Sequence, residues 1–107
     1  MKKKNEKKDF VYFIQIGEPS DRLFKIGTTN NMRRRMREHE RYYGKEVRVL
    51  WKSPAYSKWT TLQVEDKMKS QWIEEGIFEY LRNDRFLIPE EVKEVRIKVR
   101  KEYVVLI

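Results

Sequence analysis

The feature that most constrains this 107-residue chain is an almost unbroken apolar run, FVYFIQI, from Phe10 to Ile16. Aromatic and β-branched side chains favour extended structure, and a run of this length predicts a strand that is buried on both faces. Turn-forming residues follow from Gly17 to Asp21, and the segment from Arg22 to Gly27 predicts a second strand. The two strands are therefore expected to form a hairpin with a long connecting loop.

A helix and a third strand are predicted after this hairpin. Apolar residues at helical spacing predict a helix from Asn31 to Tyr43, with Thr29 or Asn30 as its N-cap and Gly44 at its end. Apolar and polar residues then alternate from Glu46 to Trp51, which predicts the third strand.

The second half of the chain predicts a long helix and a mixed end. The long helix is expected from Trp59 to Glu75, before Gly76. The segment from Phe78 to Ile88 predicts a short hairpin that turns at Asn83-Asp84. Valines at i+3 and i+4 then favour a final helix from Glu90 to Lys101. This order predicts an α+β domain with a small, three-stranded antiparallel sheet flanked by helices.

The charge of the chain points to a polyanionic partner. Lys and Arg number 25 against 17 Asp and Glu, a formal net charge of +8. Met1 to Asp9 holds five Lys, one Glu and one Asp, hence +3, and leaves +5 on the remainder. We expect residues 1–9 to be a disordered basic tail and residues 10–107 to be one domain. Its basicity favours nucleic-acid binding, with a solubility charge or a membrane-surface preference as alternatives.

The sequence also excludes several kinds of site. It contains no Cys and one His, which excludes disulfides, zinc fingers, Cys-based catalysis and iron–sulfur clusters, and argues against paired metal-binding histidines. A metal would need carboxylate ligands, which favours Mg²⁺ or Mn²⁺. No apolar run has the length of a bilayer span and no signal-peptide pattern is present, so a cytoplasmic location without membrane contact is expected.

Glu65 is the most informative residue of the long helix. At about 100° per residue it falls near the middle of an apolar arc. A buried carboxylate is costly unless it is paired or binds a metal. Glu65 is therefore either a metal ligand or a core-edge Glu paired with an Arg. The other members of the arc are Val64, Met68, Trp72, Leu62 and Ile73.

The first helix carries cations on the same side as its apolar residues. Met32, Met36 and Tyr43 mark the inward face, and Arg35 and His39 lie at i and i+4 beside them. A guanidinium and an imidazole on one stripe could hold a phosphate. Four further arginines are expected to contact nucleic acid from the remaining surface, with a merely solvated basic face as the alternative: Arg33, Arg34, Arg37 and Arg41.

Two polar side chains interrupt the predicted hairpin. Tyr12 shares a strand face with Phe10, Ile14 and Ile16, where a tyrosine is usually core. Lys25 is the one charge within the apolar part of the second strand. The following Gly27 permits close approach of a substrate or of backbone.

These residues together resemble the GIY-YIG nuclease superfamily. Phe10-Val11-Tyr12 and Lys25-Ile26-Gly27 are similar to the two tripeptides that name it, in the branch where Lys replaces the second Tyr. The family continues with an Arg, a His four residues later and a metal-binding Glu on a later helix, which correspond to Arg35, His39 and Glu65. The chain departs from the pattern at Phe10, which replaces a Gly. For the polar residue near the family's end, Asn83 and Asp84 are the candidates.

The resemblance implies a metal-dependent DNA endonuclease with one Mg²⁺ or Mn²⁺ ion held by Glu65. Tyr12 would be the general base, Lys25 and Arg35 would neutralise the phosphate, and His39 would assist. Members of the family generally take their targeting from an attached recognition domain. The resemblance therefore implies either that a partner supplies it, with a separate targeting protein or a homodimer as candidates, or that the enzyme is weakly specific or structure-selective. Lys25 is expected to lower the pKa of Tyr12.

The sequence has two rival interpretations, and the first of them is rejected. Glu65 and Lys67 match the end of another nuclease motif, but in a helix residues i and i+2 point about 200° apart and cannot converge. The second rival is a non-catalytic nucleic-acid-binding protein that retains the scaffold, with aromatic residues for stacking and basic residues for phosphate contacts.

Overall fold

The computed structural model describes residues 8–75, 79–81, 85–88, 95–99 and 102–106. These residues form eight strands and two α-helices in the described ranges. The strands are β1 (Lys8–Ile16), β2 (Leu23–Thr29), β3 (Val47–Lys52), β4 (Tyr56–Ser57), β5 (Glu79–Leu81), β6 (Arg85–Leu87), β7 (Val95–Val99) and β8 (Glu102–Leu106). The helices are α1 (Met32–Tyr43) and α2 (Lys58–Glu75).

The main sheet is antiparallel and has the order β3-β1-β2-β6-β5, with the short β4 paired to the start of β1. The predicted α+β class and the predicted hairpin of the first two strands are therefore confirmed. The three expected strands, β3, β1 and β2, form the centre of the sheet, and β6 and β5 extend it. The register of the central hairpin places Tyr12 opposite Gly27 and Ile14 opposite Lys25.

The two helices pack against opposite faces of the central hairpin. On one face Tyr12, Ile14 and Ile16 contact α1 through residues such as Met32 and Met36. The other face packs against α2 and forms the larger core, with members Val11, Phe13, Phe24, Ile26, Trp51, Met68, Trp72, Phe86 and Ile88. Consecutive strand residues point to opposite faces, so an unbroken apolar run fills both layers. β1 is buried on both faces, as its sequence predicts.

The ends of α1 are fixed by local hydrogen bonds. Its N-cap is Asn31, whose side chain accepts from the Arg34 backbone N–H at 3.0 Å, so the cap lies one residue after the predicted Asn30. Thr29 supports the turn, because its hydroxyl accepts from the Asn31 backbone N–H at 3.1 Å. Gly44 ends the helix with a φ of 68°, a left-handed conformation that glycine adopts at little cost.

The buried stripe of α2 is narrower than the predicted arc. Met68 and Trp72 are buried and Val64 packs beside them. Leu62 and Ile73 are exposed, contrary to the prediction. The buried position on the stripe is taken instead by Thr61, whose hydroxyl bonds to the Lys58 carbonyl at 2.8 Å. Because that bond satisfies its polar group, Thr61 can face the core.

The final predicted helix is wrong over the part that the structure describes. Residues 95–99 form β7, which pairs in antiparallel register with β8, and Val99 lies opposite Glu102. Valines spaced at i+3 and i+4 suit a helix, but the same segment also alternates in the order Val, Arg, Ile, Lys, Val. Its β-branched side chains and an apolar partner strand decide in favour of a hairpin.

The other predicted segments are partly described. β5 and β6 form the expected short hairpin, with Leu81 opposite Arg85, although Asn83 and Asp84 at its turn lie outside the described residues. β1 begins at Lys8, so it includes the last two residues of the predicted tail, and residues 1–7 also lie outside. Neither described helix is both long and apolar enough to cross a lipid bilayer.

Candidate functional site

The centre of the candidate site is a hydrogen bond between β1 and α1. The Tyr12 hydroxyl lies 2.7 Å from Nε2 of His39. Both side chains are buried, with 1% of Tyr12 and 5% of His39 exposed. Their rings pack edge to face with centroids 5.7 Å apart. A polar pair enclosed between a sheet and a helix has a fixed geometry, as a proton-transfer site requires.

Gly27 makes this arrangement possible. It lies directly opposite Tyr12 on β2. A Cβ at this position would overlap the Tyr12 hydroxyl and would lie 2.6 Å from Tyr12 Cζ. The tyrosine side chain therefore crosses the backbone of β2 at a place that only glycine leaves open. The sequence predicted a close approach at Gly27, but of a substrate or of backbone rather than of a side chain.

Arg35 lies one helical turn before His39 and is half-buried. Its Nη1 donates a hydrogen bond of 2.9 Å to Oε1 of Glu38, which holds the guanidinium in place. Interaction with Arg35 also lowers the pKa of the Tyr12 hydroxyl, whereas burial, the largest effect, and the negative charge of Glu65 raise it. The pKa of Tyr12 is raised overall. Tyr12 therefore retains its proton at neutral pH.

Lys25 enters the same side of the sheet from β2. It pairs with Ile14, two residues from Tyr12, and only 8% of it is exposed. Paired residues share a face, so Lys25 points towards α1. Its charge acts on His39, and with burial and Arg35 it lowers the pKa of the imidazole to about 4. The cation that lowers the pKa of Tyr12 is Arg35, whereas the sequence interpretation gave this effect to Lys25.

Glu65 approaches the site from α2. Its side chain is only 13% exposed, and its carboxylate lies 3.9 Å from the Lys69 ammonium. The carboxylate is close enough to Tyr12 to raise the pKa of the hydroxyl. These pKa effects connect the five predicted site residues. Lys25 and Arg35 act on His39, and Arg35 and Glu65 act on Tyr12, although α1 and α2 lie on opposite faces of the sheet. Lys69 is therefore one ion-pair partner of Glu65.

The described residues contain no group of three or more His, Asp or Glu side chains that could surround a metal. Mg²⁺ is commonly held by one or two carboxylates, with waters and substrate phosphate completing its coordination. A single, largely buried carboxylate such as Glu65 could take part in this shared mode but could not form a metal cage from protein alone. Glu65 therefore fits an ion that is bound together with its substrate.

A cleft of about 320 Å³ opens beside the site. Arg35 belongs to its wall, so the cleft reaches the group that contacts Tyr12. Arg33, Arg37 and Arg41 are exposed on α1, as expected of nucleic-acid-binding residues, and Arg34 faces the cleft. The wall is polar and mixed in charge, with members Asp9, Thr28, Thr29, Asn30, Arg34, Arg35, Glu38 and Lys58.

Two residues near the site were not predicted as part of it. Tyr43 stacks on His39 with ring centroids 6.0 Å apart, although the sequence placed it only among the apolar residues of α1. Arg85 of β6 lies opposite Lys25, and its guanidinium carbon is 6.0 Å from the Tyr43 ring centroid. A pattern within one helix could identify Tyr43, but the position of Arg85 depends on which strand pairs with β2.

The lowered pKa of His39 predicts a pH-dependent stability. An unfolded histidine binds a proton below about pH 6.5, while folded His39 resists protonation until about pH 4. The free energy of unfolding should therefore fall as pH drops through this window, by about 2 kcal/mol between neutral pH and about pH 5. Denaturant unfolding of wild type and His39→Gln at both pH values measures it. Carboxylates titrate in both proteins, so the difference between their two pH dependences reports on His39 alone. If the free energy of unfolding depends on pH equally in the two proteins, His39 is not buried in its neutral form.

Comparison with protein families matches residues 9–105 to the T5orf172 domain. No curated protein and no solved structure matches the chain. The matched range contains Tyr12, Lys25, Arg35, His39 and Glu65, as well as the strand that carries Arg85.

Proposed function

We propose that this chain, which belongs to the T5orf172 domain family, is a Mg²⁺-dependent endonuclease of the GIY-YIG type that hydrolyses DNA phosphodiester bonds. The T5orf172 domain is related to GIY-YIG and homing-endonuclease-like nuclease folds and is associated with endonuclease-like activity. The observation that carries the proposal is the buried 2.7 Å hydrogen bond between Tyr12 and His39, with two cations and one carboxylate around it.

The two cations suit the binding of a phosphate. Arg35 is oriented by Glu38 and can present a planar fork of donors to non-bridging oxygens. Lys25 adds a compact charge from the strand side, in a largely buried setting where electrostatic interactions are stronger than in water. Fixed cations of this kind offset the charge that grows on the phosphoryl oxygens in the transition state.

The pKa values of Tyr12 and His39 suggest how a water molecule could be activated. Tyr12 is protonated at neutral pH, so it can accept a proton only if it gives up its own. His39 is neutral, and the tautomer with its proton on Nδ1 leaves Nε2 to accept from the Tyr12 hydroxyl. The attacking water would pass its proton to the Tyr12 oxygen while the original phenolic proton moves to His39. The new P–O bond forms as the bond to the leaving oxygen breaks. The leaving alkoxide takes a proton from solvent water, and His39 releases to solvent the proton that it accepted.

Substrate binding would strengthen this relay. Burial is the largest cause of the lowered pKa of His39 in the free protein, and the charges of Arg35 and Lys25 lower it further. A bound phosphate offsets those two charges, so the pKa of His39 should rise towards its ordinary value when the substrate is present. The imidazole then becomes a better proton acceptor at the moment when it is needed.

Glu65 would hold the Mg²⁺ ion, which when bound supplies positive charge to stabilise the phosphate oxygens. The low exposure of this carboxylate and its effect on the pKa of Tyr12 support the assignment. The non-catalytic nucleic-acid-binding alternative is favoured by one observation, the ion pair of Glu65 with Lys69. In that case Glu65 would have a structural role.

Glu65→Gln separates the two functions. If Glu65 holds the metal, the variant should lose DNA cleavage by a factor of at least about a hundred, the scale for one preorganised electrostatic contact. Its DNA affinity and thermal midpoint should stay close to those of the wild type. Cleavage, binding without Mg²⁺ and thermal unfolding are measured on the same preparation, with Asp66→Asn as a control at an exposed neighbouring carboxylate. Wild-type cleavage with reduced stability would place Glu65 in the structural role.

A further inference from the structure

Arg85 is a third cation on the face of the sheet that carries Tyr12. It lies directly opposite Lys25 in the pairing of β2 with β6, and residues directly opposite one another share a face. The contact of its guanidinium with the ring of Tyr43, a residue of α1, places it on the same side independently. Arg85 therefore lies between the sheet and the end of α1.

The Tyr43 ring lies near both Arg85 and Arg35. Burial raises the pKa of Tyr43 overall, and the charges of Arg85 and Arg35 lower it in part. Of these two arginines, Arg35 also affects the pKa values of Tyr12 and His39. Arg35 is thus the arginine that acts on Tyr12, and Arg85 lies beside the Tyr43 ring.

Lys25, Arg35 and Arg85 all lie on the α1 side of the sheet, where a nucleic-acid strand could contact them in turn. A nucleic-acid strand carries phosphates at intervals of several Å, so a protein that holds two in succession needs two cations apart from each other. We propose that Arg85 binds the phosphate next to the scissile one on the same strand, while Arg35 and Lys25 hold the scissile phosphate. This inference rests on the proposed nuclease function.

Salt-dependent binding tests Arg85 without requiring cleavage. A short DNA duplex is bound in Mg²⁺-free buffer over a range of salt concentrations. Each phosphate contact contributes about 0.9 to the slope of log K against log salt. Arg85→Met should therefore bind more weakly and with a slope smaller by about 0.9. Arg85→Lys should keep most of the slope, because it keeps the charge. If Arg85→Met does not fold, Arg85→Gln removes the same charge.

Arg48→Met is the matched control. Arg48 is exposed on β3 and pairs with Gln15, on the face that carries α2, and its loss changes the net charge equally. A slope that falls no further in Arg85→Met than in Arg48→Met would overturn the proposal. In cleavage, Arg85→Met should raise KM and leave kcat within a few-fold of wild type, and a kcat lower by a hundredfold would also overturn it. Salt-dependent binding by a wild type that never cleaves DNA would reject the nuclease function alone.

Discussion

Tyr12→Phe is expected to fold and to lose cleavage by a factor of about a hundred to ten thousand, the range for removing a positioned acid–base group. The substitution deletes one oxygen atom from a buried ring and keeps the packing with Ile14 and Ile16. It also leaves Nε2 of His39 without the hydrogen bond that it makes to Tyr12. The cost in stability should be about 1 kcal/mol, the usual net value of one such bond.

Single-turnover cleavage and thermal unfolding measure these two effects separately. Tyr42→Phe is the matched control, because Tyr42 is 74% exposed on the same helix that carries His39. It should cleave like the wild type. If Tyr12→Phe also cleaves at the wild-type rate, Tyr12 is a core residue and the proton path through it is wrong.

Lys25→Met is expected to lower cleavage by a factor of about a hundred to a thousand, the scale for one preorganised electrostatic contact. Only 8% of Lys25 is exposed. Methionine keeps much of the apolar stem of the lysine side chain, so the fold should survive. Removing the ammonium also removes one of the charges that lower the pKa of His39. The acid limb of the kcat/KM profile should therefore move to higher pH, since His39 then protonates more easily.

The pH profile makes this prediction specific to His39. A change confined to the alkaline limb would mean that Lys25 acts on Tyr12 after all. Lys67→Met, at an exposed position on α2, removes the same charge and should change neither the rate nor the profile by more than a few-fold. Wild-type rates for Lys25→Met at every pH would remove Lys25 from the site.

Local sequence patterns predicted the parts of the site that depend on one element or one hairpin. Arg35 and His39 lie one turn apart on a helix, so their common face follows from helical periodicity. The proximity of Gly27 to Tyr12 follows from pairing two neighbouring strands, since a hairpin leaves few choices of register. These are short-range consequences of the chain. The common face of Arg35 and His39 was predicted, and the contact of Tyr12 with Gly27 follows from the predicted hairpin although it was not itself predicted.

Features that depend on distant segments could not be predicted in this way. Arg85 reaches Lys25 only because β6 pairs with β2, which no local pattern specifies. Which cation acts on Tyr12 depends on how far α1 projects Arg35 over the sheet. The segment from Val95 to Val99 fits both a helical and an alternating pattern, and pairing with β8 decides between them.

The central claim is that these residues form a site for phosphodiester hydrolysis, and nicking of supercoiled plasmid DNA tests it most directly. Purified wild-type protein is compared in Mg²⁺ and in excess EDTA, with Tyr12→Phe prepared in parallel to detect contaminating nucleases. We predict nicked and linear products from the wild type in Mg²⁺, and intact plasmid in EDTA and with the variant. Intact plasmid under all conditions, or equal nicking by wild type and Tyr12→Phe, would contradict the claim.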